Sequence, residues 1–253
     1  MKDNMILARF AAWPGCATGI FSFASVLSVT LLTMLYTSAT NAYAGRPMAI
    51  DDATVTNAKG CVLETWMQKS GTDTEYWALP NCSVSDNLQL TLGTVRITGD
   101  DPARTAVFMQ AKTLLKPLET NGWGVGLSVA NQYDAEKSIA GDLIINVPVS
   151  FSFQDDRLLA HVNSGLLHKG DGERDVATWG IGSEMRLSER TGFTSEVCRQ
   201  DVGKPFFQVG IRHQLIPDRM QIDASYGDRL RGGGSADRFF SIGIVLSADA
   251  VIP

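Results

Sequence analysis

From Cys61 onward, apolar side chains alternate with glycine, serine, threonine, glutamine and charged side chains. A period of two is typical of β-strands, because successive side chains of a strand point to opposite faces. The clearest cases are residues 87–96 and 122–130, where Trp123 and the three apolar residues after it are separated by glycine or serine. The pattern predicts an all-β chain whose strands have one apolar face and one small, polar face.

Twelve segments of the chain follow this pattern, and most have the length that a tilted membrane strand needs. They are residues 61–69, 74–80, 87–96, 103–115, 122–131, 141–153, 157–167, 176–187, 192–199, 205–215, 219–228 and 238–247. The connections between them alternate in length. Those at 116–121, 154–156, 188–191 and 217–218 are tight, whereas those at 132–140, 168–175, 199–204 and 229–237 are longer and polar. Short periplasmic turns and long outer loops produce this rhythm in membrane barrels.

These features predict a transmembrane antiparallel β-barrel of about 12 strands over residues 61–248. An even number of strands places both ends of the barrel on the short-turn side. Residues 45–60 are therefore expected to form a periplasmic N-terminal segment, and residues 249–253 a short C-terminal tail. A soluble β-sandwich is the alternative, because aromatic residues near strand ends also occur in sandwich cores. A sandwich does not predict the alternation of loop lengths, which favours the barrel.

Residues 1–44 have the three parts of a cleaved secretory signal peptide. Lys2 and Arg9 precede an apolar stretch at 20–36, and the triplet Ala42-Tyr43-Ala44 follows it. Cleavage after Ala44 is predicted, with initiation at Met5 and a retained transmembrane anchor as alternatives. No later segment approaches eighteen consecutive apolar residues, so the mature chain can enter a membrane only as a closed barrel. The predicted location is the outer membrane, whose lipids and barrel-insertion machinery are the expected partners.

Charge and cysteine content add two constraints. The chain has 22 basic and 27 acidic side chains, and cleavage after Ala44 removes two of the former and one of the latter. An acidic mature chain has no nucleic-acid footprint, so no nucleic-acid partner is expected. Cys61 opens the first strand and Cys82 follows the second, so antiparallel pairing predicts a disulfide in the oxidising periplasm. Cys198 is predicted to remain a free thiol.

Six charged or titratable side chains are predicted to face the lumen about four residues from a short turn, in one layer. They are Lys112, His161, Glu184, Glu196, Arg212 and Asp223. The turn at 217–218 sets Arg212 opposite Asp223, where a cross-strand ion pair is expected. A three-residue loop at 189–191 would set Glu184 opposite Glu196, with Arg212 relieving their repulsion. The layer could act as a charged constriction or gate, or as a polar network that fills a narrow barrel, which is the favoured interpretation.

Catalytic chemistry is not expected from this sequence. His161, Asn163 and Ser164 suggest a lipid hydrolase, but strand parity points Ser164 to the opposite face from His161, out of reach for activation. No metal-ligand spacing occurs in a chain with 3 histidines, so neither a metal nor another cofactor is expected.

Several motifs carry a resemblance to a known family. They are Arg46-Pro47 with Asp51-Asp52-Ala53, residues 76–80 with Cys82, and residues 110–114, 119–124, 151–157 and 217–223. Together they resemble poorly characterised proteobacterial exported proteins related to the putative outer-membrane family named for the meta-cleavage pathway of phenol degradation. The resemblance implies an outer-membrane barrel that acts as a passive channel or transporter for small hydrophobic or aromatic solutes. A non-conducting structural or assembly-related barrel and a surface lipid-modifying enzyme are the alternatives.

Overall fold

The computed structural model describes residues 46–134, 141–170, 172, 174–201, 203–230, 234 and 237–251. The predicted signal peptide and parts of the long loops lie outside these residues. The described residues form twelve strands: β1 (Cys61–Ser70), β2 (Asp73–Ser85), β3 (Leu88–Thr98), β4 (Arg104–Lys116), β5 (Trp123–Asp134), β6 (Asp142–Phe153), β7 (Leu158–His168), β8 (Val176–Arg186), β9 (Thr191–Arg199), β10 (Phe206–Ile216), β11 (Met220–Arg229) and β12 (Phe239–Ala248).

The twelve strands form one closed antiparallel barrel in which each strand pairs with its neighbours in the sequence. The barrel closes because β1 pairs with β12 as well as with β2. Closure leaves the sheet without an unpaired edge, as a membrane-spanning sheet requires. The predicted barrel is confirmed, and the alternative of a soluble sandwich is wrong.

The strands present their apolar side chains to the outside of the barrel. Leu92 and Ile242 are more than half exposed, whereas their neighbours Thr91 and Ser241 face the lumen and are buried. An exposed apolar surface that continues around a closed barrel matches lipid hydrocarbon rather than water. Among the described residues, no helix is long and apolar enough to cross a membrane.

Exposed aromatic side chains lie near both ends of the strands. Trp123 and Phe153 lie beside the short turns, and Tyr226 and Phe240 lie toward the long loops. Two such bands are typical of outer-membrane barrels, where aromatic rings lie at the level of the lipid headgroups. The Lys116 ammonium lies 4.7 Å from the ring centroid of Trp123, which adds a cation–π contact at the short-turn end.

The predicted disulfide is present and closes the base of the first hairpin. Cys61 and Cys82 are directly paired residues of β1 and β2, and their sulfurs are bonded at 2.07 Å. Cys198 is buried and unbonded, as predicted.

One of the two predicted registers differs from the structure. Arg212 pairs with Asp223 as expected, although a bulge between Gln214 and Ile216 alters the turn that follows. Glu184, however, pairs with Thr194 and not with Glu196. The turn is centred one residue earlier than expected, because the amides of residues 187 and 188 both donate to the carbonyl of residue 191. Shifting the centre of a turn by one residue shifts the strand pairing by two.

Candidate functional site

Residues 46–60 are called here the N-terminal segment. Residues 46–56 lie inside the barrel and follow its inner wall, and residues 57–60 lead into β1 at the short-turn end. Hydrogen bonds join the segment to β11 and β12 at Arg46, to β10 at Pro47, to β9 at Ala49 and Ile50, to β7 at Asp51, to β6 at Ala53, and to β2 and β3 at Thr56. The segment therefore passes almost every strand before it leads into β1. This placement differs from the periplasmic one expected from the sequence, because the polar inner wall offers partners for its backbone.

Glycines of the wall make room for the segment on one side of the lumen. A Cβ atom at Gly182 would lie 2.5 Å from Met48 Cε and 2.6 Å from Ile50 Cδ1, and one at Gly180 would also overlap Ile50. A Cβ atom at Gly210 would lie 2.6 Å from the ring of the segment's proline. Larger residues at these positions would push the segment away, so β8 and β10 are shaped to hold it.

Lys112 anchors the middle of the segment. Its ammonium donates to Asp51 Oδ1 at 2.6 Å and to Asp52 Oδ1 at 2.7 Å. Thr54 holds Asp52 in place, because its backbone amide and its hydroxyl both donate to that carboxylate. The Lys112 side chain is only 6% exposed, so the two carboxylates replace the water that the ammonium loses on burial.

Glu196 binds the backbone of the segment instead of facing Glu184. Its carboxylate oxygens accept from the amides of Ala49 at 2.7 Å and Ile50 at 3.0 Å. Two backbone donors converge on one carboxylate, which explains how a buried acid is tolerated at this position. The expected repulsion between two facing glutamates therefore does not arise.

A chain of polar side chains runs across the short-turn half of the wall. Ser150 Oγ lies 2.7 Å from His161 Nδ1, the other ring nitrogen lies 3.3 Å from Glu184, and Glu184 also accepts from Arg212. The order resembles a catalytic triad, but Ser150 is fully buried and its oxygen accepts from the amide of Ala53. That oxygen is therefore not accessible to a substrate carbonyl in this arrangement. The contacts of the four side chains connect β6, β7, β8 and β10.

Ser164, the candidate nucleophile considered from the sequence, is on the other side of the wall. It is exposed on the outer face of β7, whereas His161 and Asn163 are buried on the inner face. The predicted strand parity is therefore confirmed.

Asp223 forms an ion pair with a residue that the sequence did not suggest. The guanidinium of Arg46 donates to Asp223 Oδ1 at 2.9 Å and to Ser241 Oγ at 3.1 Å. Arg212 lies opposite Asp223 in the register, but its guanidinium binds Glu184, two strands away. The expected pair of Arg212 and Asp223 is thus replaced by two pairs, one of which needs the N-terminal segment.

A cavity of about 750 Å³ lies in the lumen beside the segment. Toward the long loops it is bounded by residues of many strands, among them Asp142 and Phe206. Near the short turns it is lined by Val62, Asn81 and Gln89, which belong to β1, β2 and β3. The cavity therefore reaches from one end of the barrel toward the other along the wall opposite the glycines.

The six side chains of the predicted layer all face the lumen, but they serve different contacts. Within the part of the chain that the structure describes, Lys112 is the one of the six that lines the cavity. The other five bind the segment or one another. They are His161, Glu184, Glu196, Arg212 and Asp223. Whether any of them gates a solute remains a prediction.

The outer mouth of the cavity is held by a cluster of ion pairs. Arg229 binds Asp201 and Asp237, and all three side chains line the cavity. Burial raises the pKa of Asp201, but the hydrogen bonds from Arg229 and from the amide of Gly203, together with the positive charge of Arg229, hold this pKa below its usual value. A second pair, Lys169 with Asp142 at 3.0 Å, lies at the same end.

No group of three or more metal-ligating side chains occurs in the described ranges.

The segment brings charged groups into the lumen that were not predicted from the sequence, above all Arg46, Asp51 and Asp52. Two signals were available. These residues are charged and lie in the short stretch before the first strand. Gly180 and Gly182 occupy alternate positions on the inward face of β8. Alternating glycines on an inner face indicate that another part of the chain approaches closely.

The barrel is similar to solved outer-membrane porins and channels. The KdgM porin matches with a TM-score of 0.58 at 7% identity, over 73% of this chain and 98% of that one. The NanC porin matches with a TM-score of 0.58 at 11% identity, over 74% and 98%. The COG4313 outer membrane channel from Pseudomonas putida F1 matches with a TM-score of 0.54 at 10% identity, over 79% and 99%. At these identities the likeness is one of fold.

The amino-acid sequence matches the model of one protein family. No curated protein matches the chain. The model of the family described as "Uncharacterised conserved protein UCP029691" matches residues 31–247, which is most of the chain. This protein therefore belongs to that family of conserved proteins, and its members can be expected to share the twelve-stranded barrel.

Proposed function

We propose that this protein is a passive channel through which small solutes cross the outer membrane. One observation carries the proposal: the cavity of about 750 Å³ extends from the long-loop end to Val62, Asn81 and Gln89 near the short turns. A lumen that is continuous over most of the barrel gives small solutes a path, and the N-terminal segment narrows it.

The proposed solutes are small aromatic or hydrophobic compounds. Trp66, Trp77 and Phe108 line the cavity together with the amides of Gln110 and Asn146. Aromatic rings can stack against a ring of the solute, while the amides keep the path wet. The resemblance of several motifs to the family named for the phenol pathway supports the same class of solute.

The charge of the lining disfavours acidic solutes. In the described part of the chain, seven carboxylates and four cationic side chains line the cavity, and Glu64 and Glu75 are among the carboxylates. The excess of carboxylates makes the lining net negative, which disfavours anions relative to cations. An acidic sugar such as the oligogalacturonate found in complex with the KdgM porin is therefore not a proposed solute here.

A non-conducting structural barrel is the second candidate, and a specific observation favours it. The N-terminal segment is hydrogen-bonded to most strands, and the network of Ser150, His161, Glu184 and Arg212 fills the lumen beneath it. A lumen closed by such contacts would support the wall without conducting.

Conductance in planar bilayers tests the channel against the filled barrel. Purified wild-type protein should give small, steady conductance steps. Gln110→Trp should reduce each step, because Gln110 lines the cavity and the indole would occupy part of it. Met109→Trp provides the matched control, since Met109 is exposed on the outer face of the same strand.

The two candidates predict different results. A wild-type barrel that inserts into the bilayer without conducting would overturn the channel proposal and support the filled barrel. Equal steps for Gln110→Trp and Met109→Trp would show that solutes do not follow this cavity. Liposome swelling with phenol-sized neutral solutes and with acidic sugars then tests the solute class.

A further inference from the structure

The guanidinium of Arg46 occupies a pocket that is formed by the barrel wall. Its Nη2 atom donates to Asp223 Oδ1 at 2.9 Å and to Ser241 Oγ at 3.1 Å. Its Cζ atom lies 4.4 Å from the ring centroid of Trp66. A carboxylate, a hydroxyl and an aromatic face are the groups that recognise a planar guanidinium. They come from β11, β12 and β1, whereas the cation comes from the N-terminal segment.

Contacts within the wall hold this pocket in shape. Trp66 stacks on Trp77, its partner on β2, with the ring centroids 5.0 Å apart and the planes inclined by 3°. The hydroxyl of Ser241 lies 2.6 Å from that of Ser225. Gly243 leaves the space that the Asp223 carboxylate occupies, since a Cβ atom there would lie 2.9 Å from Oδ2. None of these contacts needs Arg46, so the pocket should persist without it.

Arg46 leaves part of the pocket's bonding capacity unused. Its Nε atom and the Oδ2 atom of Asp223 are buried, and neither has a hydrogen-bond partner among the described residues. Guanidinium and carboxylate groups commonly form two parallel hydrogen bonds. The position of Arg46 is constrained by the next residue, whose carbonyl accepts from Gln208. A guanidinium that is free to turn could engage both oxygens of Asp223.

The pocket lies directly behind the wall of the cavity. Arg46, Glu64 and Trp66 line the cavity, whereas Asp223 and Ser241 lie on the far side of Arg46. Movement of the Arg46 side chain would therefore join the pocket to the cavity. Carboxylates outnumber cationic side chains in the cavity lining, and this net negative charge favours the entry of a cation.

We propose that Trp66, Asp223 and Ser241 form a binding site for solutes that carry a guanidinium group, and that Arg46 occupies this site as a tethered competitor. The inference rests on the proposed channel only in that the solute reaches the pocket through the cavity. It adds solutes with a guanidinium group to the small aromatic or hydrophobic solutes that the aromatic lining indicates.

Binding to the Arg46→Ala variant tests this site. The full mature chain is purified in detergent, and ethylguanidinium is added far below denaturing concentrations at constant ionic strength. Tryptophan fluorescence is the readout, because the ring of Trp66 forms one face of the pocket. Arg46→Ala should show a saturable change. Wild-type protein should need at least about tenfold more ethylguanidinium, because the tethered arginine competes at a high effective concentration.

Three controls separate the pocket from general effects of a cation. Ethylammonium has the same charge but no planar fork, so its binding to Arg46→Ala should be about tenfold weaker, which corresponds to ~1.4 kcal/mol. Adding Asp223→Asn to Arg46→Ala should abolish the saturable change. Arg190→Ala, which removes an arginine from the exposed β8–β9 turn, should behave like the wild type. Faster gel migration of the unheated protein verifies that each variant forms a barrel.

Two results would overturn the inference. One is a folded Arg46→Ala barrel without a saturable response, and the other is an equal response in the wild type and Arg46→Ala. Failure of the proposed channel gives a different result, namely a protein that does not conduct, and the binding measured in detergent is independent of it. A conducting protein that does not bind ethylguanidinium would contradict this inference and leave the channel standing.

Discussion

The two sides of the lumen differ in the size of their inward-facing residues. On β8 and β10 these include Gly182 and Gly210, and the N-terminal segment lies against them. On β1 and β2 they include Trp66 and Trp77, and the cavity runs beside them. The N-terminal segment can approach the wall closely where glycine provides no Cβ atom. On the side with the large tryptophan side chains, the cavity remains beside the wall.

This difference shows that polar residues inside one barrel can have two roles. Glu196 is polar and inward-facing, and it binds backbone amides of the segment. Gln110 is also polar and inward-facing, and it lines the cavity. Residues of the first kind stabilise a fixed contact, so replacing them should cost stability. Residues of the second kind meet solutes, so replacing them should alter passage more than stability.

The largest expected loss of stability is that of removing the lysine that binds the segment, compared with removing a lysine at the mouth of the cavity. Lys112→Met would leave Asp51 and Asp52 without their cation and should lower the free energy of unfolding by about 3 kcal/mol. Lys169→Met is the matched control, because its pair with Asp142 is about a quarter exposed and should contribute less than about 1 kcal/mol. Urea unfolding in lipid vesicles measures both. Equal losses would contradict the distinction between the two sides.

The disulfide between β1 and β2 stabilises the side of the barrel along which the cavity runs. Replacing Cys61 and Cys82 together by serine should cost about 3 kcal/mol, because the bridge closes a loop with a sequence separation of 21. Cys198→Ala removes a buried cysteine without breaking a bridge and should cost about 1 kcal/mol. The same unfolding measurement compares them, and a larger loss for Cys198→Ala would show that the bridge adds little.

A single added methyl group should disturb the side that holds the segment. In Gly180→Ala the new Cβ atom would overlap the branched side chain of Ile50, which cannot rotate away easily. We expect a loss of about 1–3 kcal/mol and noisier conductance, as the segment shifts off the wall. Gly234→Ala is the control, because nothing lies within 4 Å of the added atom. Identical behaviour of the two variants would mean that the segment does not rest on β8.

The smallest effect should be seen at the mouth of the cavity in acid. The pKa of Asp201 is held below its usual value, so its bond to Arg229 stabilises the loop above the pKa of the unfolded chain, near 4. This stabilisation is lost as the pH falls through the lower pKa of the folded state. Hydrogen exchange of the amide of Gly203, which donates to Asp201, should accelerate below about pH 4 and not in Asp201→Asn. A pH-independent exchange rate, after correction for the intrinsic chemistry, would contradict this.

Part of the lumen could be predicted because local rules govern it. All six predicted lumen residues, from Lys112 to Asp223, face inward, since parity along a strand fixes the face of every side chain. Their partners were harder to predict. Glu184 was assigned the wrong neighbour because the centre of its turn was misplaced by one residue, and Asp223 was assigned Arg212 because only paired strands were considered.

The sequence by itself determined the barrel, its strands, the apolar outer face and the bridge between Cys61 and Cys82. Alternation and turn length are local properties, and in a meander they also fix which strands are neighbours. Only the tertiary structure decided the path of residues 46–60 and the division of the lumen. The pair of Arg46 and Asp223 joins residues 177 positions apart. No local periodicity relates such residues, because their contact exists only after the barrel has closed around the segment.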